Sequence, residues 1–224
     1  LGLFAAVVGC SAVPPGSQIT VAANADLTNV LRALAEQYER ETGTKVVTSF
    51  AASGVLREQA ARGAPFDLLI VAHPKYLEGV RSRGTPTAVA LGALALYGKD
   101  LPADEAGIES LSGRVAIANP KTAPYGESAA IYLAERRAPK LDVVPLDDVR
   151  QAKLAVDRGA ADYAIVSRTQ ASEGPLPYLA LGPATAVRIT AVMMGSNRAE
   201  GVLAFLKSPR AATVMRDAGL VPIP

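Results

Sequence analysis

Four short segments place small polar residues where an apolar run gives way to a helical pattern: Ala22-Ala23-Asn24-Ala25-Asp26-Leu27-Thr28-Asn29, Phe50-Ala51-Ala52-Ser53-Gly54-Val55, Asn119-Pro120-Lys121-Thr122-Ala123-Pro124-Tyr125-Gly126 and Leu146-Asp147-Asp148-Val149-Arg150. A helix N-terminus carries free N–H groups and roughly half a positive charge, so several of them meeting at one cleft bind an anion without Arg or Lys. Such a site can hold a desolvated dianion and let it go again. The same residue types also cap helices, and Asp26, Ser53 and Asp148 are of the kind that do so most often. Spacing alone leaves both roles open, with capping the commoner.

Catalytic patterns are missing. His73 is the only histidine and sits in Ala72-His73-Pro74, where a structural or solvated role is expected. There is no HExxH, no paired-cysteine ligand set and no GxSxG elbow, and neither a P-loop nor a GxGxxG stretch occurs. Met193-Met194 falls in a strand pattern and is expected in the core. The sequence therefore predicts a binder with no cofactor rather than an enzyme. Charges of both signs nearly cancel to a formal +2, which gives no field for a polyphosphate backbone, so nucleic acid is excluded as a partner. With 5% aromatics and no Trp, the chain lacks the stacking platforms of single-stranded nucleic-acid binders. A small non-aromatic ligand fits better.

The chain opens on an apolar run containing Leu1, Leu3, Phe4, Ala5, Ala6, Val7 and Val8, then Gly9-Cys10 and a Ser/Pro/Gly spacer. The run is too short to span a bilayer and reads as the h-region of a secretory signal. Val7-Val8-Gly9-Cys10 resembles a bacterial lipobox, which implies a lipid anchor at Cys10; the other reading is an ordinary signal with an incidental cysteine. Either places the protein outside the cytoplasm, in the periplasm or as a membrane-anchored lipoprotein. Cys10 is the only cysteine, so no disulfide within the chain can form.

Beyond the spacer, apolar runs alternate with amphipathic patterns, which is the signature of βαβ units. Strands are predicted at 18–23, 45–50, 67–72, 88–97, 114–118, 163–166 and 187–194. Leu27, Val30, Leu31, Leu34, Ala35 and Tyr38 mark a helix that stops at Gly43; further helices are expected at 55–62, 126–137, 149–158, 199–206 and 211–218. The two groups of units predict an α/β chain of two lobes, each a mainly parallel sheet flanked by helices, with the ligand cleft between them. Residues 1–17 are assigned to the signal remnant and spacer, 18–90 with 193–224 to the first lobe, and 91–192 to the second. In such sheets ligands bind at the carboxyl ends of the strands.

Ala25-Asp26-Leu27-Thr28-Asn29, Ser49-Phe50-Ala51-Ala52-Ser53-Gly54, Gly63-Ala64-Pro65-Phe66-Asp67-Leu68, Ile117-Ala118-Asn119-Pro120 with Ala123-Pro124-Tyr125-Gly126, Asp148-Val149-Arg150-Gln151-Ala152 and Leu206-Lys207-Ser208-Pro209-Arg210-Ala211-Ala212 together resemble the periplasmic molybdate-binding proteins of ABC importers. That group has the type 2 periplasmic-binding-protein fold, and the resemblance runs from about Ile19 to Pro222. It implies molybdate or tungstate as transported ligand, a permease with its ATPase as partner, and a monomeric binding protein. It also implies uncharged donors only: Ser53 through hydroxyl and amide, Tyr125 and Val149 through backbone N–H, with Asn24, Ala25, Gly54 and Ser167 close by. Enzymes that polymerise porphobilinogen share the fold, but they need a cofactor-bearing cysteine within a lobe, which Cys10 cannot supply.

Asp26 departs from the family pattern, where a Ser or Asn side chain is usual. An ionised carboxylate only accepts hydrogen bonds. At about 4 Å and an effective dielectric near 20, each unit of repulsion against an anion is about 4 kcal/mol. Asp26 must therefore turn away as a cap, take up a proton when ligand binds, or coordinate the central atom directly. It also keeps open a different small ligand, either another oxyanion or a species that takes a carboxylate as a ligand.

Overall fold

The computed structural model describes residues 18–224 apart from 137, 139 and 196, so the expected leader and Cys10 lie outside the described residues. The chain begins with β1 (Gln18–Asn24), α1 (Thr28–Thr42), β2 (Lys45–Ala51), α2 (Ser53–Ala61), β3 (Leu68–Val71) and β4 (Arg83–Gly92). It then enters a second sheet through β5 (Leu94–Gly98), β6 (Gly113–Ala118), α3 (Pro124–Glu135), β7 (Leu141–Leu146), α4 (Val149–Asp157), β8 (Tyr163–Ser167), α5 (Arg168–Ser172) and β9 (Tyr178–Ala180). It returns with β10 (Val187–Met193), α6 (Glu200–Leu206), α7 (Pro209–Asp217) and β11 (Val221–Pro222). The sheets are ordered β11-β4-β10-β3-β1-β2 and β7-β6-β8-β5-β9.

Local chemistry explains the elements that carry the site. β1 and β3 are buried almost throughout, as strands covered on both faces must be. α1 turns Val30, Leu31, Leu34 and Tyr38 inward and stops at Gly43, whose φ of 70° suits the left-handed cap and whose N–H reaches the Glu39 carbonyl at 2.8 Å. One buried cluster belongs mostly to the second lobe, yet it includes Ala25, Ala52 and Ala72 of the first. The facing ends of the two sheets are thus pressed together.

The two-lobe α/β class holds, with three refinements. Parallel pairing is confined to β1 with β2 and β3, and β6 with β7 and β8; strands adjoining the crossovers run antiparallel to their neighbours. The single strand expected over 88–97 is two strands in different sheets, separated at Ala93. β10 lies in the first sheet, so the second crossover falls within 181–186 and not at the expected 192/193 boundary. A buried apolar run reads alike in either sheet, and its pairing partner is decided only in three dimensions.

The first crossover is also a tight contact. A Cβ on Gly92 would collide with the hydroxyl of Tyr125 on α3. Gly92→Ala is therefore expected to cost about 1–3 kcal/mol, as overpacking does. Adding Tyr125→Phe should recover part of that loss. Denaturant melts of the two single variants and the double variant check this, and strictly additive losses would show that the contact carries no energy.

Candidate ligand site

The first lobe brings Asn24, at the end of β1, beside Ser53, the first residue of α2. Ser53 donates its hydroxyl to Asn24 Oδ1 at 2.5 Å and accepts the Ala72 N–H at 3.0 Å. Asn24 in turn donates its side-chain amide to Asp26 Oδ1. This relay ties the carboxyl ends of β1 and β3 to the start of α2. Ser53 and Asp26 are wholly buried and Asn24 nearly so. Neither Ser53 nor Asp26 caps a helix: α2 has Ala52 at its N-cap with no side-chain bond, and Asp26 sits within the 3-10 turn Ala25–Leu27. The capping role weighed for these two residues is thereby corrected, since a cap must precede the first turn and both lie inside one.

The second lobe presents the starts of α3 and α4. Tyr125 is the second residue of α3, and both its backbone and ring are buried. Gly126 lets that helix sit on the end of β6, because a Cβ there would run into the Ala118 carbonyl. Val149 is buried as the first residue of α4, and Asp148 caps the helix by accepting Arg150 N–H at 2.8 Å and Gln151 N–H at 3.1 Å. For Asp148 the capping role therefore holds. Ser167 caps the short α5, accepting the Gln170 N–H at 3.3 Å and sharing a hydrogen bond with Thr169.

Where the lobes meet, Gly54 gives its N–H to the Thr122 carbonyl at 2.8 Å. Ala25 is buried among second-lobe residues. Gln170 reaches the Asp26 carbonyl at 3.5 Å, and Lys75 pairs with Glu127 at the rim. A groove of about 380 Å³ lined by Gly54, Lys75, Thr122 and Glu127 opens to one side of these contacts. Ala25, Asp26, Gly54, Tyr125 and Val149 are thus brought to the contact between the lobes, with Asn24 and Ser53 bonded behind it in the first lobe and Ser167 in the second at the start of α5. No Lys or Arg is buried among the described residues. His73 is exposed on the turn that follows Ala72, its Nδ1 accepting the Lys75 N–H at 3.1 Å.

Sequence reading missed what the Tyr125 side chain does. Its hydroxyl lies close enough to the Asp26 carboxyl across the lobes to act on it, while Tyr125 Oη and Asp26 Oδ2 each lack a hydrogen-bond partner. Burial pushes Asp26 from the ordinary 3.8 up to about 6, while the Asn24 amide and the Tyr125 hydroxyl pull the other way. Burial, reinforced by Asp26, holds the Tyr125 hydroxyl well above its usual range. Gln170 and Glu173 were also overlooked; Glu173 is raised chiefly by burial. α5 has five residues, too few for a helical period to show in sequence.

The sequence profile of the bacterial extracellular solute-binding proteins matches residues 19–221. The chain belongs to that family. It is 34% identical to the molybdate-binding protein ModA of Escherichia coli (strain K12), covering 98% of this chain and 96% of the relative. It is 31% identical to ModA of Azotobacter vinelandii over 98% of this chain and 95% of the relative. The solved Azotobacter vinelandii periplasmic molybdate-binding protein aligns with a TM-score of 0.81 at 25% identity, covering 92% of this chain and 99% of that one. As in other solute-binding proteins, the chain forms two lobes from two sheets, with the candidate residues at their meeting ends.

The Asp26 shift has a consequence for this solute-binding protein on its own. The folded state holds the Asp26 proton more tightly than the unfolded chain, so this group contributes most to stability below about pH 4. That contribution is lost as pH rises to about 6 and is flat above. Two pKa units correspond to about 3 kcal/mol. Asp26→Asn should therefore stabilise the ligand-free protein by up to about 3 kcal/mol at pH 8 and hardly at all at pH 4. Denaturant melts at both values test this, and a variant less stable than wild type at pH 8 would refute it.

Proposed function

We propose that the protein is the extracytoplasmic capture component of an ABC importer for a tetrahedral oxyanion, molybdate or tungstate, which it hands to a membrane permease driven by an ATPase. The observation that carries this reading is the buried interlobe cluster, which offers hydroxyl and helix N-terminal N–H groups and no buried Lys or Arg among the described residues. Fixed neutral donors at helix starts stabilise a dianion by dipoles and direct hydrogen bonds and select it by size. The names of the relatives, molybdate-binding proteins in two bacteria, support the choice of ligand.

In this reading the ligand enters between the lobes and takes hydrogen bonds from the Ser53 hydroxyl and amide and from the backbone N–H groups of Tyr125 and Val149. Asn24 and Ala25 line the first-lobe side, and Gly54 and Ser167 hold the margins through Thr122 and through the start of α5. Ser53 can donate to the anion only by releasing Asn24 Oδ1, so binding re-sorts the relay. The protein works as a binder and not as an enzyme. It acts as a monomer without a cofactor, and a lipid anchor at Cys10 tethers it outside the cytoplasm.

A ligand that binds only the folded state raises the melting temperature. Molybdate and tungstate at millimolar excess should each raise it clearly, and sulfate weakly. In Ser53→Ala the ligand-induced shift should shrink to match a loss of about 1.5–3 kcal/mol of binding, the value of a charge-assisted hydrogen bond. No shift with either metal oxyanion would dismiss the assigned ligand, and an undiminished shift in Ser53→Ala would dismiss the assigned donor.

A further inference from the structure

We propose that the liganded cleft contains one proton between Asp26 Oδ2 and an oxygen of the anion, so that this chain binds its oxyanion together with a proton. The inference rests on the oxyanion reading above and goes beyond it, since donors that are all neutral would bind the anion without any change in protonation.

The geometry leaves few alternatives. Asp26 is wholly buried, its Oδ1 is taken by the Asn24 amide, and its Oδ2 has no partner. The carboxyl meets the Tyr125 hydroxyl of the second lobe, which is also unpartnered, beside the helix starts that would hold the anion. Among the described residues no Lys or Arg pairs with Asp26, and the one charged group that acts on it is Glu173. From α5, Glu173 adds further repulsion. On α4, Arg150 pairs with Asp148 through Nη2 while its buried Nε is unpartnered, and Lys153 pairs with Asp157 and also lies close enough to pull on Glu173. α3 contributes Tyr125, whose hydroxyl stays protonated, and α1 contributes the neutral Asn29, hydrogen-bonded to Glu173. A carboxyl in this position meets an anion oxygen only as a donor, with the proton taken from solvent or brought by a monoprotonated anion. No bond other than that to the proton forms or breaks.

The free carboxyl titrates near 6, and a bound anion can only raise that value. Affinity is therefore full below about pH 6 and falls by up to about tenfold per pH unit above it, until the ligand-bound pKa is reached. Tyr125→Phe removes the facing hydroxyl and should leave the proton uptake in place.

Calorimetric titration of wild-type protein with molybdate at pH 7.5, in Tris and in HEPES, counts protons from the dependence of the observed heat on the buffer. The expected result is about one proton taken up per molybdate in wild type and close to none in Asp26→Asn, whose affinity is less dependent on pH. Tight wild-type binding with no proton uptake overturns the proposal while leaving the oxyanion reading intact. So does an uptake that persists unchanged in Asp26→Asn. If that variant does not fold, the wild-type count and the slope of affinity between pH 6 and 8 decide alone. Failure of molybdate and tungstate to bind at all overturns the oxyanion reading, and the proposal with it.

Discussion

Polar groups buried between two lobes must each find a partner, because an unpaired one costs more than a hydrogen bond returns. This constraint organises the interface. Ser53 is held between Asn24 and Ala72, Gly54 is bonded to Thr122, and Gln170 reaches the Asp26 carbonyl. The exceptions among the described residues are Asp26 Oδ2 and Tyr125 Oη, on opposite sides of the lobe contact, and Arg150 Nε at the start of α4. Unsatisfied atoms at the meeting point of several helix starts are where a ligand has most to offer. Burial of an acid at the same place is destabilising, a cost that a solute-binding protein can carry at its functional site.

The fold supplies the placement. The carboxyl ends of β1 and β3 and the starts of α2, α3 and α4 gather near the lobe contact, and each helix start is the positive end of its dipole. Chain crossings at Ala93 and within 181–186 join the lobes, and Tyr125 rests on Gly92 at the first of them. One side chain thus touches the hinge, the opposing acid and, through its own backbone, the start of α3.

Much of this was legible in the sequence. Leu27, Val30, Leu31, Leu34 and Tyr38 do form the inner face of α1 and its approach, and Gly43 ends it. Of the turns singled out, Ala25, Ala52, Tyr125 and Val149 share one buried cluster across the lobes. β7 escaped notice because Pro145 interrupts its pattern, which an edge strand tolerates. β10 was divided from its sheet because burial, and not pairing, is what an apolar run records. The role of the Tyr125 ring was invisible because residue spacing reports which backbone turns converge but not where a long side chain ends.

The central claim is that the anion is held at this interface by neutral donors from both lobes. Crystals grown with molybdate and measured at the molybdenum absorption edge test it most directly. The account predicts one anomalous peak between the lobes, with oxygens in hydrogen-bonding reach of the Ser53 hydroxyl and of the Tyr125 and Val149 amides. A peak elsewhere, such as the surface pocket beside Lys99, Asp157 and Asp162, would contradict it.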